Sequence, residues 1–248
     1  MRPTNNQKKL KALVTGSSKR IGATIVKNLH ASGVDIGIHY NSSKTEASDL
    51  SNELNVIRPN STSIFNANIT NTDEANSLID NFINWAGGLD LLVNNASSFY
   101  PTPVGTITDN EWHDLMGTNL KGPLFITQAA TNALKEAKGS VINLIDIHTR
   151  SPLKNHPIYG SAKAGLKMLT RSLAKDLAPE IRVNGISPGA ILWPEEGMTE
   201  DVKKDILNKI PLHRTGSPQD IADCVLFLLY KADYITGQII AVDGGRSV

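Results

Sequence analysis

The chain has 248 residues, of which 40% are hydrophobic and 20% charged, and its formal net charge is +1. This length and composition predict a single α/β domain, residues 1–248, with a polar amino-terminal tail over residues 1–10. The even spread of charge argues against a nucleic-acid surface, and no apolar run approaches the about 20 residues that span a membrane. The polar start and the single Cys224 favour the cytoplasm, and the scattered histidines predict no metal site.

The chain opens with the pattern of a strand, a glycine-containing turn, a helix and a second strand. A short apolar segment, Lys11–Val14, runs into the turn 15–22, and the helix that follows is predicted to end at Gly33. Alternating apolar residues then predict a strand that ends near His39 and Tyr40. Such a βαβ unit has parallel strands joined by a right-handed crossover.

Helices and strands continue to alternate through the remainder of the chain. Helices are predicted over about residues 44–56, from a cap at Thr72, from a capping box of Thr108 and Glu111, from Pro123 to about Gly139, over 157–177, near 200–210 and from Ser217. Strands are predicted near residues 63–66, 89–93, 141–145, 181–187 and 238–242. This alternation predicts a doubly wound parallel sheet of about seven strands.

The polar residues that suggest a ligand site follow the ends of these strands. They are Gly16–Gly22, His39–Ser43, Asn94–Phe99, Asp146 and Pro188-Gly189. In doubly wound sheets, ligands bind beyond the carboxyl ends of the strands. The glycine turn leads into a helix whose free amide groups can bind a pyrophosphate, although an ordinary strand–helix turn explains this segment alone about equally well.

The end of the second strand indicates which dinucleotide binds. An NAD site needs an acid there to bind the ribose hydroxyl groups. Segment 39–44 contains no acid, and Asp35 lies at the opposite end of the strand. Lys19, Arg20 and the nearby hydroxyl groups favour a 2′-phosphate and hence NADPH, while an ordinary polar loop is the alternative.

A second group of residues follows the fifth strand. Asp146 stands at the carboxyl end of an apolar segment, and Tyr159 and Lys163 share one face of the next helix. A cation beside a phenol lowers the pKa of the phenol, and a carboxyl group in a semi-closed pocket can have a raised pKa, so the three residues predict a proton donor. The alternatives are a solvated Tyr-x-x-x-Lys helix face and an Asp146 that only caps the backbone.

Together these segments resemble the short-chain dehydrogenase/reductase family, collinearly from about Lys11 to Arg246. The residues that carry the resemblance are Thr15, Gly16, Gly22, Asn94, Asn95, Ala96, Asn119, Tyr159, Lys163, Pro188, Gly189, Asp243, Gly244 and Gly245. The resemblance implies a Rossmann-type fold, a homotetramer, and a catalytic group that includes Tyr159, Lys163 and Asn119.

Three features resemble the pteridine reductase branch of that family. They are Lys19-Arg20 in the glycine turn, the segment 94–103, and Asp146 where the family usually has a serine. The branch resemblance implies that Asp146 and Tyr159 deliver a proton. The branch often has a basic residue where Ser42 stands, which leaves the source of 2′-phosphate affinity open.

The resemblance also implies two sets of binding residues. The predicted cofactor site consists of Gly16, Ser18, Lys19, Arg20, Ile21, Tyr40, Asn41, Ser42, Ser43, Asn68, Ile69, Asn95, Ala96, Ser97, Tyr159, Lys163, Pro188 and Gly189. The predicted substrate site consists of Arg20, Ser97, Phe99, Asp146 and Tyr159. To these we add Trp193, independently of the resemblance, because it lies in the loop after the sixth strand, where it either closes over the substrate or only packs. The predicted activity is NADPH-dependent reduction of a dihydropterin or of dihydrofolate. A 3-oxoacyl thioester or other carbonyl reductase and a non-catalytic NADP-binding regulator remain alternatives.

Overall fold

A computed structural model of the chain describes residues 9–193 and 199–248. Its strands are β1 (Lys11–Val14), β2 (Asp35–Tyr40), β3 (Thr62–Asn66), β4 (Leu91–Asn94), β5 (Ser140–Leu144), β6 (Arg182–Pro188) and β7 (Ile239–Val242). They form one parallel sheet in the order β3-β2-β1-β4-β5-β6-β7. The predicted Rossmann-type doubly wound sheet of seven strands is therefore confirmed, and the strand order reverses between β1 and β4.

Helices connect the strands and cover both faces of the sheet. They are α1 (Arg20–Ala31), α2 (Lys44–Ile57), α3 (Thr72–Ala86), α4 (Asp109–Met116), α5 (Gly122–Ala137), α6 (Pro157–Asp176), α7 (Glu200–Asn208) and α8 (Pro218–Tyr230). A π-helical turn, Gly117–Lys121, joins α4 to α5, and a short 3-10 helix, Ile147–Thr149, follows β5.

Two apolar cores lie on the two faces of the sheet because successive strand residues point to opposite sides. Val14 of β1 packs in the core formed with α1, α2 and α8, whereas its neighbour Leu13 packs in the core formed with α3 and α5. Phe82 of α3 is fully buried in the second core, a burial that stabilises the fold by about 2 kcal/mol. Because both faces are covered, the strands are apolar along most of their length.

Two local predictions are wrong, each at the boundary of an element. Strand β4 begins at Leu91 rather than Leu89. Helix α3 is capped by Asn71 rather than Thr72, because Asn71 Oδ1 accepts from Asp73 N at 2.9 Å. Pro123 stands in the first turn of α5, as predicted, and the π-helical turn leads directly into that helix.

Some predictions fall outside the described residues. The polar tail is described only from residue 9 onwards, and residues 194–198 of the loop after β6 are not described. Among the described residues, no helix is long and apolar enough to cross a membrane. The same residues contain no cluster of three or more metal-ligating side chains.

Candidate functional site

The turn between β1 and α1 packs tightly against the end of β4. Gly16 has a φ of 58°, and a Cβ atom at this position would lie 2.7 Å from Ala96 Cα, so only glycine fits. Asn95 Nδ2 donates to Thr15 O at 2.9 Å and to Gly16 O at 2.8 Å. Arg20 stands where related turns often have a glycine. Its φ of 53° is a left-handed conformation that residues other than glycine rarely adopt.

A buried histidine that the sequence analysis did not assign fixes the same turn from β2. Gly16 N donates to His39 Nδ1 at 2.9 Å, and His39 Nε2 lies 3.0 Å from Ala67 O. Since Nδ1 accepts, Nε2 carries the proton and donates to the carbonyl oxygen. Burial lowers the pKa of His39 to about 4, so the imidazole is neutral. One side chain thus joins the glycine turn to the end of β3.

The glycine turn borders a cavity of about 690 Å³ at the carboxyl edge of the sheet. We call it the large cavity. Its lining includes these predicted cofactor residues: Gly16, Ser18, Lys19, Arg20, Ile21, Tyr40, Asn41, Ser42, Ser43, Asn68, Ile69, Asn95, Ala96 and Ser97. His39 and Ser98, which lie in the predicted site segments without an assigned role, line it as well, as do His113, Asp114 and Thr118, which were not predicted. The sequence thus predicted the part of the cavity lining that follows β1, β2 and β4, but not the part that α4 contributes.

A smaller cavity, of about 240 Å³, adjoins the large one. Asp146, Tyr159, Lys163, Pro188 and Gly189 are among the residues that line this small cavity. The linings of the two cavities share Arg20, Ile21, Asn95 and Ser97. The structure therefore places every residue of the predicted cofactor site around two connected spaces.

The amino terminus of α1 is suited to an anion. No side chain caps this helix, and its first turn contains no acidic residue. Lys19 and Arg20 line the large cavity at the same point. Uncapped amide groups, the helix dipole and two cationic side chains fit the pyrophosphate of a dinucleotide.

Lys19, which was expected to bind a 2′-phosphate near the end of β2, forms an ion pair that was not expected. Ser42 and Ser43 line the large cavity, and no acid from segment 39–44 accompanies them. Lys19 Nζ, however, forms an ion pair with Glu46 Oε1 in the first turn of α2. Asp35 lies at the far end of β2, where Lys11 Nζ contacts its Oδ2 at 2.6 Å.

A hydrogen bond joins the two acidic groups of the small cavity. Tyr159 Oη donates to Asp146 Oδ2 at 2.7 Å. The other carboxylate oxygen, Oδ1, accepts from the backbone N of His148 at 2.8 Å and lies 2.7 Å from His148 Nδ1. Asp146 also caps the 3-10 helix, so the predicted backbone cap and the contact with Tyr159 occur together.

The expected pKa changes of this pair are both wrong. Burial raises the pKa of Asp146, but hydrogen bonds from His148 and Tyr159 outweigh burial and leave the pKa below its ordinary value. Burial and the Asp146 carboxylate raise the pKa of Tyr159 above its usual range. At neutral pH the pair is therefore a carboxylate that accepts a hydrogen bond from a neutral phenol.

The position of Lys163 explains why it does not lower the pKa of the phenol. Its Nζ donates to Leu144 O at 2.9 Å and lies 5.8 Å from the centre of the Tyr159 ring. The side chain is buried. Burial lowers the pKa of Lys163 to about 8, partly offset by the Asp146 carboxylate. The ammonium group binds the end of β5 instead of the tyrosine hydroxyl.

Asn119 lies in the π-helical turn and is fully buried. Its Nδ2 donates to Ser98 O and to Leu115 O, both at 2.9 Å, and its Oδ1 accepts from Ser97 Oγ at 2.7 Å. In the part of the chain that the structure describes, it has no hydrogen bond to Tyr159 or Lys163. Its observed contacts position the loop after β4, which lines both cavities.

Two predicted substrate residues, Phe99 and Trp193, are absent from the described lining of the small cavity. Phe99 is 54% exposed, and its ring lies edge-on to Tyr159 with centres 4.8 Å apart. One face of Phe99 stacks on His156. Trp193 lines a separate cavity of about 520 Å³ with Arg20 and Leu192. The structure thus brings Phe99, but not Trp193, next to the Asp146–Tyr159 pair.

Comparison with known proteins gives a matching family model and several similar proteins. A family model described as enoyl-(acyl carrier protein) reductase matches residues 16–247. Pteridine reductase 1 of Leishmania tarentolae is 37% identical over 279 residues, covering 96% of this chain and 96% of that protein. A 3-oxoacyl-[acyl-carrier-protein] reductase of Staphylococcus aureus is also 37% identical, over 238 residues that cover 94% of this chain and 96% of the relative. An uncharacterized oxidoreductase of Escherichia coli is 34% identical over 239 residues, 94% of either chain.

Proposed function

Because the chain belongs to the short-chain dehydrogenase/reductase family of oxidoreductases, whose members use NAD(P)(H), we propose that it is an NADPH-dependent reductase of dihydropterins and of dihydrofolate. The observation that carries the proposal is the hydrogen bond from Tyr159 Oη to Asp146 Oδ2 at 2.7 Å, within one cavity. The family usually has a serine at this position; a carboxylate there orients the Tyr159 phenol as a proton donor for a ring nitrogen, and it cannot donate a hydrogen bond to a carbonyl oxygen as a serine does.

The proposed reaction adds a hydride to carbon and a proton to nitrogen across a C–N double bond. When bound, NADPH supplies the hydride. Tyr159 keeps its proton at neutral pH because its pKa is raised, and a neutral phenol is a proton donor. Asp146 orients that phenol. Lys163 places a positive charge under the same cavity and stabilises negative charge that develops there.

The walls of the cavities supply the other contacts that a flat heterocycle needs. Phe99 stands edge-on to Tyr159 and offers an exposed aromatic ring for stacking. Arg20 and Ser97 line both cavities and can contact cofactor and substrate together. We infer that these three side chains orient the pterin, and that Asn119 contributes by fixing Ser97 through the bond to its hydroxyl group.

The preference for NADPH is supported by charge. Lys19 and Arg20 line the large cavity beside the hydroxyl groups of Ser42 and Ser43, and hydrogen-bond donors and cations suit a 2′-phosphate. Glu46 weakens this argument because it pairs with Lys19. Arg20 and the two serines remain as the main source of the proposed preference.

The second candidate is a 3-oxoacyl thioester or other carbonyl reductase. The Staphylococcus aureus relative is as similar in identity as the pteridine reductase, so sequence identity does not separate the two candidates. Asp146 argues against a carbonyl reductase because it replaces the serine that the family usually has at this position. A non-catalytic NADP-binding regulator is a weaker third candidate, since Tyr159 and Lys163 both line the small cavity. We further propose, on the family resemblance, that the protein is a homotetramer, and that it is cytoplasmic. Light scattering of the purified protein tests the tetramer.

The absorbance of NADPH during turnover distinguishes the three candidates. Dihydrobiopterin, dihydrofolate and an acetoacetyl thioester are each offered with NADPH and, in parallel, with NADH. The proposal predicts faster oxidation of NADPH with a dihydropterin or dihydrofolate than with the thioester, and slower reaction with NADH. Faster thioester reduction supports the carbonyl reductase, and NADPH binding without turnover of any substrate supports the regulator.

A further inference from the structure

His148 and Tyr159 contact opposite oxygens of the Asp146 carboxylate. His148 Nδ1 lies 2.7 Å from Oδ1, and Tyr159 Oη lies 2.7 Å from Oδ2. The 3-10 helix that Asp146 caps brings the histidine back onto the carboxylate two residues later. A carboxylate that bridges an imidazole and a phenol forms a continuous chain of hydrogen bonds.

The two ends of this chain lie in different cavities. Tyr159 and Asp146 line the small cavity, whereas His148 lines a fourth cavity of about 640 Å³ together with Leu153, His156 and Ser161. We call this the outer cavity, and its described lining shares no residue with the small cavity. The His148 side chain is 22% exposed. Within residues 9–193 and 199–248, its Nε2 has no protein hydrogen-bond partner.

We propose that His148 is a positioning residue that passes protons from water in the outer cavity to the Asp146–Tyr159 pair. The active site would then have an entrance for protons separate from the cavities that bind cofactor and substrate. This inference rests on the proposed function for the identity of the substrate, and it applies equally to any reduction at this site that consumes a proton.

The charge state of the pair explains why such an entrance is needed. Hydrogen bonding keeps the pKa of Asp146 below its ordinary value, so the carboxylate holds no proton for delivery at neutral pH. Tyr159 holds one proton and must regain it after each turnover. An imidazole can take up a proton at one ring nitrogen and release one from the other, and His148 contacts Asp146 from the side opposite Tyr159. Among the described residues, the other titratable groups near these hydrogen bonds are Lys163, from α6, and His156, in the outer cavity.

One turnover consumes one hydride and one proton. The substrate C–N double bond is reduced by a hydride from the reduced nicotinamide, which is oxidised, and the tyrosine O–H bond breaks as the substrate N–H bond forms. The His148 Nδ1–H bond then breaks as an O–H bond forms at Asp146 Oδ1, while a proton from water adds to His148 Nε2. The protonated carboxyl group turns and passes its proton to the Tyr159 oxygen, which re-forms the tyrosine O–H bond. The neutral imidazole then exchanges its ring proton with water and regains the Nδ1–H bond, so the protein is unchanged.

Two variants of His148 test the relay. In His148→Gln the amide can still donate to Asp146 but cannot titrate. In His148→Ala the side chain is removed, and free imidazole can enter from the outer cavity. Ser161→Ala is the control, because Ser161 lines the same cavity without contacting Asp146. The steady-state rate of reduction, which includes the return of a proton to Tyr159 after each turnover, is measured from about pH 6 to about pH 9.

The relay predicts that His148→Gln lowers the rate by about 10-fold or more at the acidic end, where an imidazolium group would supply the proton, and flattens the pH dependence. The dissociation constant of NADPH should be unchanged. Imidazole should restore His148→Ala, and more strongly at lower pH, where imidazolium is abundant. An unchanged rate and pH profile in His148→Gln would overturn the proposal. An equal loss at every pH without rescue by imidazole would also overturn it, since that result means a purely structural contribution.

A measurement on the cofactor-free protein separates this proposal from the substrate assignment. Nitrogen-15 NMR of the histidine rings follows the titration of His148 in the unmodified protein, in Asp146→Asn and in Tyr159→Phe. The relay predicts that both substitutions shift the titration of His148, whereas identical titration in all three proteins contradicts it. If the thioester but not the dihydropterin is reduced, the proposed function fails while the kinetic test of His148 proceeds on the thioester.

Discussion

Replacing Lys163 with methionine should stabilise the cofactor-free protein at neutral pH. Lys163 is 2% exposed, and burial lowers the pKa of its ammonium group from 10.5 to about 8. At any pH where the lysine is protonated in both the folded and the unfolded protein, burying its charge lowers the free energy of unfolding by about 3 kcal/mol. Methionine has a similar length and no charge, so it removes this cost.

The substitution also removes a hydrogen bond. Lys163 Nζ donates to Leu144 O at 2.9 Å, and loss of the donor leaves a buried carbonyl group that costs about 1 kcal/mol. The net gain in the free energy of unfolding is therefore about 2 kcal/mol at pH 7. Because the folded pKa lies below the unfolded value, the cost of the charge disappears as the pH rises from about 8 to about 10.5. At pH 10 the variant should have lost its advantage.

Urea unfolding followed by circular dichroism measures both free energies at equal protein concentration. Lys175→Met, an exposed position on the same helix, is the control and should change stability by less than about 0.5 kcal/mol. A Lys163→Met protein that is less stable at pH 7, or equally stabilised at pH 7 and pH 10, refutes the inference that the buried charge destabilises the fold.

Two further substitutions test the proposed binding sites. Phe99→Ala should raise the KM for dihydropterins by about 3- to 10-fold through loss of stacking, with exposed Val56→Ala as the control; an unchanged KM means that the ring does not stack on the substrate. Glu46→Gln should lower the dissociation constant of NADPH by about two- to fivefold because it releases Lys19. Glu53→Gln, which breaks the comparable Lys27–Glu53 pair, should not change it; equal effects of the two substitutions indicate only a general change in surface charge.

The fold could be predicted because apolar periodicity determines which face of each element is buried. Leu13 and Val14 enter opposite cores, as alternation along a strand requires. The capping box of Thr108 and Glu111 is formed as the sequence indicates. Boundaries were less predictable because neighbouring residues compete for the same function. Asn71 and Thr72 can both cap α3, and only the backbone geometry selects Asn71.

The members of the candidate site could be predicted from strand ends, but not their electrostatics. The i, i+4 spacing placed Tyr159 and Lys163 on one helix, yet the ammonium group donates to Leu144 O, a tertiary contact that no periodicity encodes. The 3-10 helix that brings His148 onto Asp146 has three residues, too few to leave a repeating pattern. The pair between Lys19 and Glu46 likewise depends on the packing of α1 beside α2.

Asp146→Ser gives the most direct test of the central claim, that the carboxylate beside Tyr159 makes this site a pterin reductase. The variant restores the residue that the family usually has at this position. Single-turnover oxidation of NADPH is measured with dihydrobiopterin and with an acetoacetyl thioester, after NADPH affinity is shown to be unchanged. We expect reduction of the dihydropterin to fall by about 100-fold or more, and reduction of the thioester to remain or rise. Dihydropterin reduction at the rate of the unmodified protein would contradict the account.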